Sequence, residues 1–211
     1  MKAPSFETIY KALKFKCYHI FEADTKPYNL NIIGVRNNNR KPNSFDDWIV
    51  VMWKYKGQWT FKSYQATTDP GLYYLWHPSC PSGTAILKEG HYLNSFKLGL
   101  HRGIYKALVQ AKPLTVIRDY NRDSFLDYSS GKVETGMFGI NIHGAKQSGA
   151  TINVNQWSAG CQVFANSEDY YEFISICTKA EKFWGNSFSY TLLNHTDLLG
   201  FKNAHCNWFI R

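Results

Sequence analysis

The sequence predicts a mainly β fold with a few helices, and three observations carry that expectation. Aromatic residues are 17% of the chain, with seven Trp, fourteen Tyr and fourteen Phe. Large flat side chains pack well on a pleated, half-buried surface. Short apolar runs recur at turn-punctuated intervals, a spacing that suits a sandwich or barrel better than alternating β and α units. With 211 residues, 44% of them hydrophobic, the chain has enough apolar material for one sizeable domain, which argues against disorder.

Taken in order, Ser5 to about Cys17 has Phe6, Ile9 and Leu13 at a helical repeat. Tyr28 to Val35 reads as a strand, and Asn37 to Asn43 as a polar loop. Trp48 to Tyr55 and Trp59 to Tyr64, joined by the turn Lys56-Gly57-Gln58, predict a β-hairpin. Further strands are expected around Ala85–Leu87, Ala107–Val109, Leu114–Arg118 and Phe138–Ile142, and the cluster Tyr73-Tyr74-Leu75-Trp76 reads as strand core. Ser167 is a suitable N-cap for a helix to about Lys182, with Glu168 and Asp169 in its first turn. Ser189 to Leu193 is expected as a closing strand. No internal repeat or linker is visible; residues 1–45 read as an N-terminal extension and 46–211 as the main domain.

The net charge of +8 suits a polyanionic partner, but the lysines and arginines are scattered, so no nucleic-acid interface is expected. Five cysteines, at 17, 80, 161, 177 and 206, form neither an even framework nor a C-x-x-C pair. That usage fits a reducing compartment, and Cys177 reads as a small core residue. No apolar run approaches the ~20 residues of a membrane span, and no signal-peptide pattern opens the chain. A protein made in the cytoplasm would then reach an outside site by another route.

The chemistry concentrates at Cys161, which closes the run Trp157-Ser158-Ala159-Gly160-Cys161. Upstream, Gly139-Ile140-Asn141-Ile142-His143-Gly144 supplies an imidazole. A thiol on a small, flexible turn, with a base nearby and free backbone N–H groups, is the set a covalent acyl transfer requires. The competing reading is that both residues are packing side chains.

Fourteen residues separate His143 from the Ser158-Ala159-Gly160-Cys161 turn. This pattern resembles the L,D-transpeptidase signature of His, about fourteen to seventeen residues, then Ser/Thr-His-Gly-Cys. Pro81-Ser82-Gly83-Thr84 is similar to the turn that precedes the active-site half in that family, and the matching regions span roughly residues 48 to 195. Ala66-Thr67-Thr68-Asp69-Pro70 and His101 to Gln110 resemble a divergent, phage-encoded branch. The resemblance implies an L,D-transpeptidase-like β-sandwich or barrel with a helix after the cysteine. It also implies a cysteine nucleophile at Cys161, His143 as base, and the Gly144 carbonyl orienting the imidazole. Ser158 and Gly160 complete the implied turn, and Trp157, Ala159 and Gln162 are the expected substrate contacts. The implied substrate is the amide between the third and fourth residues of a peptidoglycan stem peptide, with no cofactor required. Ala159 replaces the second motif histidine, and Gln162-Val163-Phe164 lacks the arginine or asparagine usual there. Crosslinking and hydrolysis therefore both stay open. The expected setting is the bacterial cell wall, as a phage lysis or virion wall-remodelling protein with other virion proteins as further partners. The alternative is a catalytically weak virion or wall-binding protein that keeps the fold.

Asp119-x-Asn121-x-Asp123-x-x-x-Asp127 resembles a shortened calcium loop, although Ser124 replaces the loop glycine; the competing reading is a polar hairpin tip. His77, His91 and His101 are expected as hydrogen-bonded or surface histidines, the competing reading being that they approach the cleft.

Overall fold

A computed structural model describes residues 1–199. Along the chain run α1 (Phe6–Phe15), β1 (Asn31–Arg36), β2 (Asp47–Tyr55), β3 (Gln58–Thr67), α2 (Leu72–Trp76), β4 (Thr84–Leu87) and β5 (Gly90–His101). They are followed by β6 (Tyr105–Gln110), β7 (Leu114–Asp119), β8 (Val133–Gly136), β9 (Ile142–Gly144), β10 (Gln162–Phe164), α3 (Ser167–Trp184) and β11 (Phe188–Asn194). A 3₁₀ turn, His195–Leu198, ends the described chain. Eight strands close a barrel in the order β1-β11-β5-β6-β9-β10-β3-β2, and β4-β7-β8 form a separate three-stranded sheet. The mainly β expectation holds, and closure abolishes the exposed edges that an open sheet would leave.

The β2–β3 hairpin follows from its turn. Tyr55 pairs with Gln58, and Lys56 and Gly57 have φ of 50° and 78°, the left-handed pair that a two-residue turn between twisted strands requires. β11 is the strand that completes the barrel, pairing parallel with β1 and antiparallel with β5. β1, inside the stretch expected as an extension over 1–45, is thus a barrel strand. Its burial on both faces is explained by α1, whose Ile9, Ala12 and Leu13 cover Ile33, Val35, Val50, Met52 and Leu193. Ser5 caps α1, its Oγ accepting from the Thr8 N–H.

Several expectations are corrected. Phe138–Asn141 is not strand; the strand there is Ile142–Gly144. Tyr73–Trp76 lies in the short helix α2 rather than a strand, with Tyr73 and Trp76 exposed. The N-cap of α3 is Asn166, whose side chain accepts the Glu168 N–H, and Ser167 is the first helical residue. Cys80, Cys161 and Cys177 are free, and Cys206 lies outside the described residues. Cys177 is fully buried in the main core, as expected. No described helix is long and apolar enough to cross a membrane.

α3 follows Cys161 and packs Tyr170, Phe173 and Ile176 into the main core with Phe164 of β10 and Ile142 of β9. Alternation then turns Val163 and Cys161 to the opposite face, where they meet Phe45, Ala145, Val154 and Ala165. That face carries the candidate site.

Candidate active site at Cys161 and His143

β9 and β10 pair in parallel, with Val163 opposite His143 and Gln162 opposite Ile142. Cys161 stands one step before β10, where the Gln162 N–H donates to the Asn141 carbonyl at 2.9 Å. Alternation puts Asn141, His143, Cys161 and Val163 on one face, so His143 and Cys161 are diagonal neighbours across the pair. Asn141 tightens the arrangement. Its backbone N–H donates to Cys161 Sγ at 3.4 Å, and the thiol in turn faces the Gly139 carbonyl at 3.7 Å.

Hydrogen bonding sets the tautomer of His143. Nδ1 lies 3.0 Å from the Gly144 carbonyl oxygen, which only accepts, so the proton sits on Nδ1. Tyr105 supports the same arrangement: its hydroxyl donates to the Gly144 carbonyl at 3.3 Å and lies 3.1 Å from Nδ1. Nε2 is left with its lone pair and makes no hydrogen bond within the described residues. An imidazole held by a main-chain carbonyl and open at Nε2 is oriented as a general base.

A second imidazole stacks on the first. His101, the last residue of β5, lies with its ring centroid 4.0 Å from that of His143 and an interplanar angle of 25°. Its tautomer also follows from neighbours. The Gln110 N–H donates to Asn141 Oδ1 at 3.0 Å, so the Asn141 amide nitrogen faces His101 Nδ1, also at 3.0 Å. That ring nitrogen must accept, which leaves the His101 proton on Nε2.

Electrostatics keep the site neutral. Burial, reinforced by His101 and Arg102, pushes His143 down to about 3, against the smaller opposing effect of the Gly144 hydrogen bond. Burial raises the Cys161 thiol, while the Asn141 N–H and Arg102 pull it part-way back. Burial and Arg102 also lower His101. The resting pair is therefore thiol and imidazole, without a preformed thiolate–imidazolium pair.

The turn before Cys161 is built around Ser158. Its buried Oγ donates to the Cys161 carbonyl at 2.8 Å and accepts the Gly160 N–H at 3.1 Å, so this hydroxyl binds the loop. The Gly160 N–H is consequently occupied, and the Cys161 N–H, unpaired within the described residues, is the candidate oxyanion donor. Gly160 has φ of 118°, and a methyl there would overlap the Ala85 carbonyl oxygen. This contact brings the Pro81–Thr84 turn and β4 against the cysteine turn. The Gly71 N–H adds a brace by donating to the Ser158 carbonyl at 2.9 Å. Behind it, buried Arg36 pairs with Asp69 at 2.9 Å and donates to the Thr68 carbonyl.

The expected substrate contacts separate. Trp157 is exposed between a cavity of about 660 Å³, also lined by Tyr73, Trp76, His77 and Arg102, and one of about 410 Å³ lined by Tyr105, Lys106, Gly144, Lys146 and Tyr171. Ala159 lines a third space, of about 360 Å³, with Tyr74, Cys80, Arg118 and Phe138. Gln162 is corrected: it is fully buried toward the main core, where its Oε1 accepts the Tyr190 hydroxyl at 2.7 Å, so it faces no cavity. Asn141 and Tyr105 join the site without having been singled out in the sequence, and His101 reaches it by stacking on His143. The alternation of Asn141 with His143 was the available signal.

The Asp119–Asp127 loop spends its oxygens locally. Asn121 donates to Asp123 and Asp127, the Phe125 N–H donates to Asp123, and Arg40 pairs with Asp127. Among the described residues no group of three or more His, Cys, Asp or Glu is placed to hold a metal ion. Asp119 Oδ1 is buried without a partner, and burial raises this carboxyl to about 6, with Asp127 and Asp123 adding to the effect against the Asp127 N–H bond. His91 bonds Thr191, and His77 is exposed beside Tyr73.

No protein-family model matches the chain, and no curated protein matches it. The geometry of Cys161 and His143 is the ground for a functional reading.

Proposed function

We propose that the chain is a cysteine acyl-transfer enzyme of L,D-transpeptidase-like fold that acts on stem-peptide amides of bacterial peptidoglycan. The observation that carries this reading is His143, proton-fixed on Nδ1 by the Gly144 carbonyl, with a bare Nε2 on the same face as Cys161. The L,D-transpeptidase resemblance supplies the substrate class, and the phage lysis or virion setting belongs to the same proposal.

In the proposed reaction the thiol turns from the Gly139 carbonyl and passes its proton to Nε2. Sulfur attacks the amide carbonyl, with the oxyanion received by the Cys161 N–H. Collapse breaks the C–N bond, and the imidazolium returns the proton to the leaving amine. The thioester is then resolved by an amine, giving a crosslink, or by water, giving hydrolysis. Burial supports the first step, because a neutral imidazole is ready to accept the proton at neutral pH.

One observation favours a second reading, a wall-binding protein with weak catalysis. The thiol is held by Asn141 and Gly139 and raised by burial, and no hydrogen bond joins it to His143. Mass spectrometry of muropeptides incubated with the parent and with Cys161→Ala separates the two. The enzyme reading expects new products from the parent alone. Equal products from both proteins would defeat it.

A further inference from the structure

His101 is a buried titratable group that the reaction above does not use. It ends β5 and lies flat against His143, with ring centroids 4.0 Å apart and an interplanar angle of 25°. Tyr105 turns its ring edge-on to His143, at 6.3 Å and 67°, and tilts against His101 at 5.3 Å and 46°. His101 is itself fixed. Its Nδ1 accepts from the Asn141 side-chain amide at 3.0 Å, and the backbone N–H of the same Asn141 reaches Cys161 Sγ at 3.4 Å. One side chain therefore touches the base directly and also braces the residue that holds the thiol. The groups that face His101 are Arg102 on its own hairpin, Tyr105 of β6, and Asn141 and His143 at β9, with the Cys161 thiol beyond Asn141. None of these is a carboxylate that would favour a charged His101.

We propose that His101 is a positioning residue for His143: neutral, it holds the base's ring in place to receive the thiol proton, and protonated, it closes that route. This inference rests on His143 acting as base for Cys161. The stacking distance is what couples the two rings. Charges about 4 Å apart repel, which makes a second proton harder to place by roughly fivefold in bulk water and by about a thousandfold in a half-dry site. The pair therefore takes up its two protons in separate steps. Burial lowers both rings, His143 down to about 3, so acid charges His101 first. With His101 neutral, the thiol's proton is the first on the pair, and the flat face of a neutral ring attracts the cation that forms above it. With His101 charged, the thiol's proton would be the second, and its transfer to Nε2 of His143 is opposed.

NMR titration of the histidine ring nitrogens in the parent, His101→Phe and His101→Gln tests the coupling without substrate. His101→Phe keeps a flat ring on His143, and His101→Gln keeps an acceptor for the Asn141 amide; neither can take a charge. In the parent His101 is expected to protonate first. In the variants His143 should protonate about one pH unit higher than in the parent, and its Nδ1–H signal shows that the site is still folded. An unchanged His143 titration in the variants, or His143 charging before His101 in the parent, overturns the proposal. The pH profile of muropeptide turnover is the second readout. The parent's rate should fall in acid along the titration of His101, and this limb should move to lower pH in the variants, whatever their rate at neutral pH. A limb that stays in place reduces His101 to packing and overturns its part in the proton transfer. No turnover by the parent overturns the proposed function, while the NMR titration still decides whether the two rings are coupled.

Discussion

Replacing His143 by glutamine tests whether the base rests neutral, because a neutral and a charged imidazole give different pH dependences of stability below the ordinary histidine range. The imidazole is buried and lowered to about 3, whereas an unfolded chain returns it to the ordinary value of 6.5. The folded value is the depressed one, so the unfolded state binds the extra proton as acid is added. Stability contributed by the neutral histidine is therefore lost as pH falls from 6.5 toward 3. One proton is worth about 1.4 kcal/mol per pH unit, which amounts to roughly 3 kcal/mol between pH 7 and pH 4. Raised carboxylates such as Asp119 act in the opposite direction in both proteins and cancel in the comparison. Urea unfolding of parent and His143→Gln across this range reads the difference directly. Whatever the variant loses at neutral pH, the gap should narrow on acidification. A gap that stays constant below pH 6.5 would refute the buried neutral imidazole, and it is what a histidine already charged in the fold would give.

Three further outcomes follow from particular contacts. Iodoacetamide labelling of Cys161 should accelerate with pH through and beyond the ordinary thiol range; a plateau already present in mild acid would reveal a thiolate that burial should prevent. Gly160→Ala combines a φ of 118° with overlap on the Ala85 carbonyl and should cost about 2 kcal/mol or more, with loss of Cys161 labelling selectivity; wild-type stability would remove the strain argument. Asp119→Asn keeps an acceptor for the Asp127 N–H and removes the charge that burial penalises, so it should raise stability at neutral pH by about 1 kcal/mol. If calcium stabilised the parent and this variant lost that response, the loop would be a metal site after all.

The elements legible in the sequence were those with a local cause. Lys56-Gly57 names its own turn, the α1 repeat shows its buried stripe, and the acidic first turn of α3 marks its start. β5 escaped notice because its polar residues, Gly90, Gly99 and left-handed Asn94 disguise a twelve-residue strand. β8 has no fully buried residue, and β9 and β10 are three residues each, too short for any period to show. The site divides in the same way. Cys161, His143, Gly144, Ser158 and Gly160 lie in one ordered motif, and the Gly144 carbonyl was expected to hold the imidazole, as it does. His101, Arg102 and Tyr105 arrive through pairing of β5 with β6 and of β6 with β9. Their approach depends on barrel closure, which no local run encodes. Gln162 shows the converse: adjacency to Cys161 suggested substrate contact, and strand alternation turned it inward.

The most direct test of the central claim is the intact mass of the protein after brief exposure to muropeptides that carry a tetrapeptide stem. Cys161 as nucleophile with His143 as base predicts an acyl adduct that maps to Cys161, is absent from Cys161→Ala and forms far more slowly in His143→Gln. An adduct that persists in Cys161→Ala, or turnover of muropeptides by that variant at the parent's rate, would contradict it.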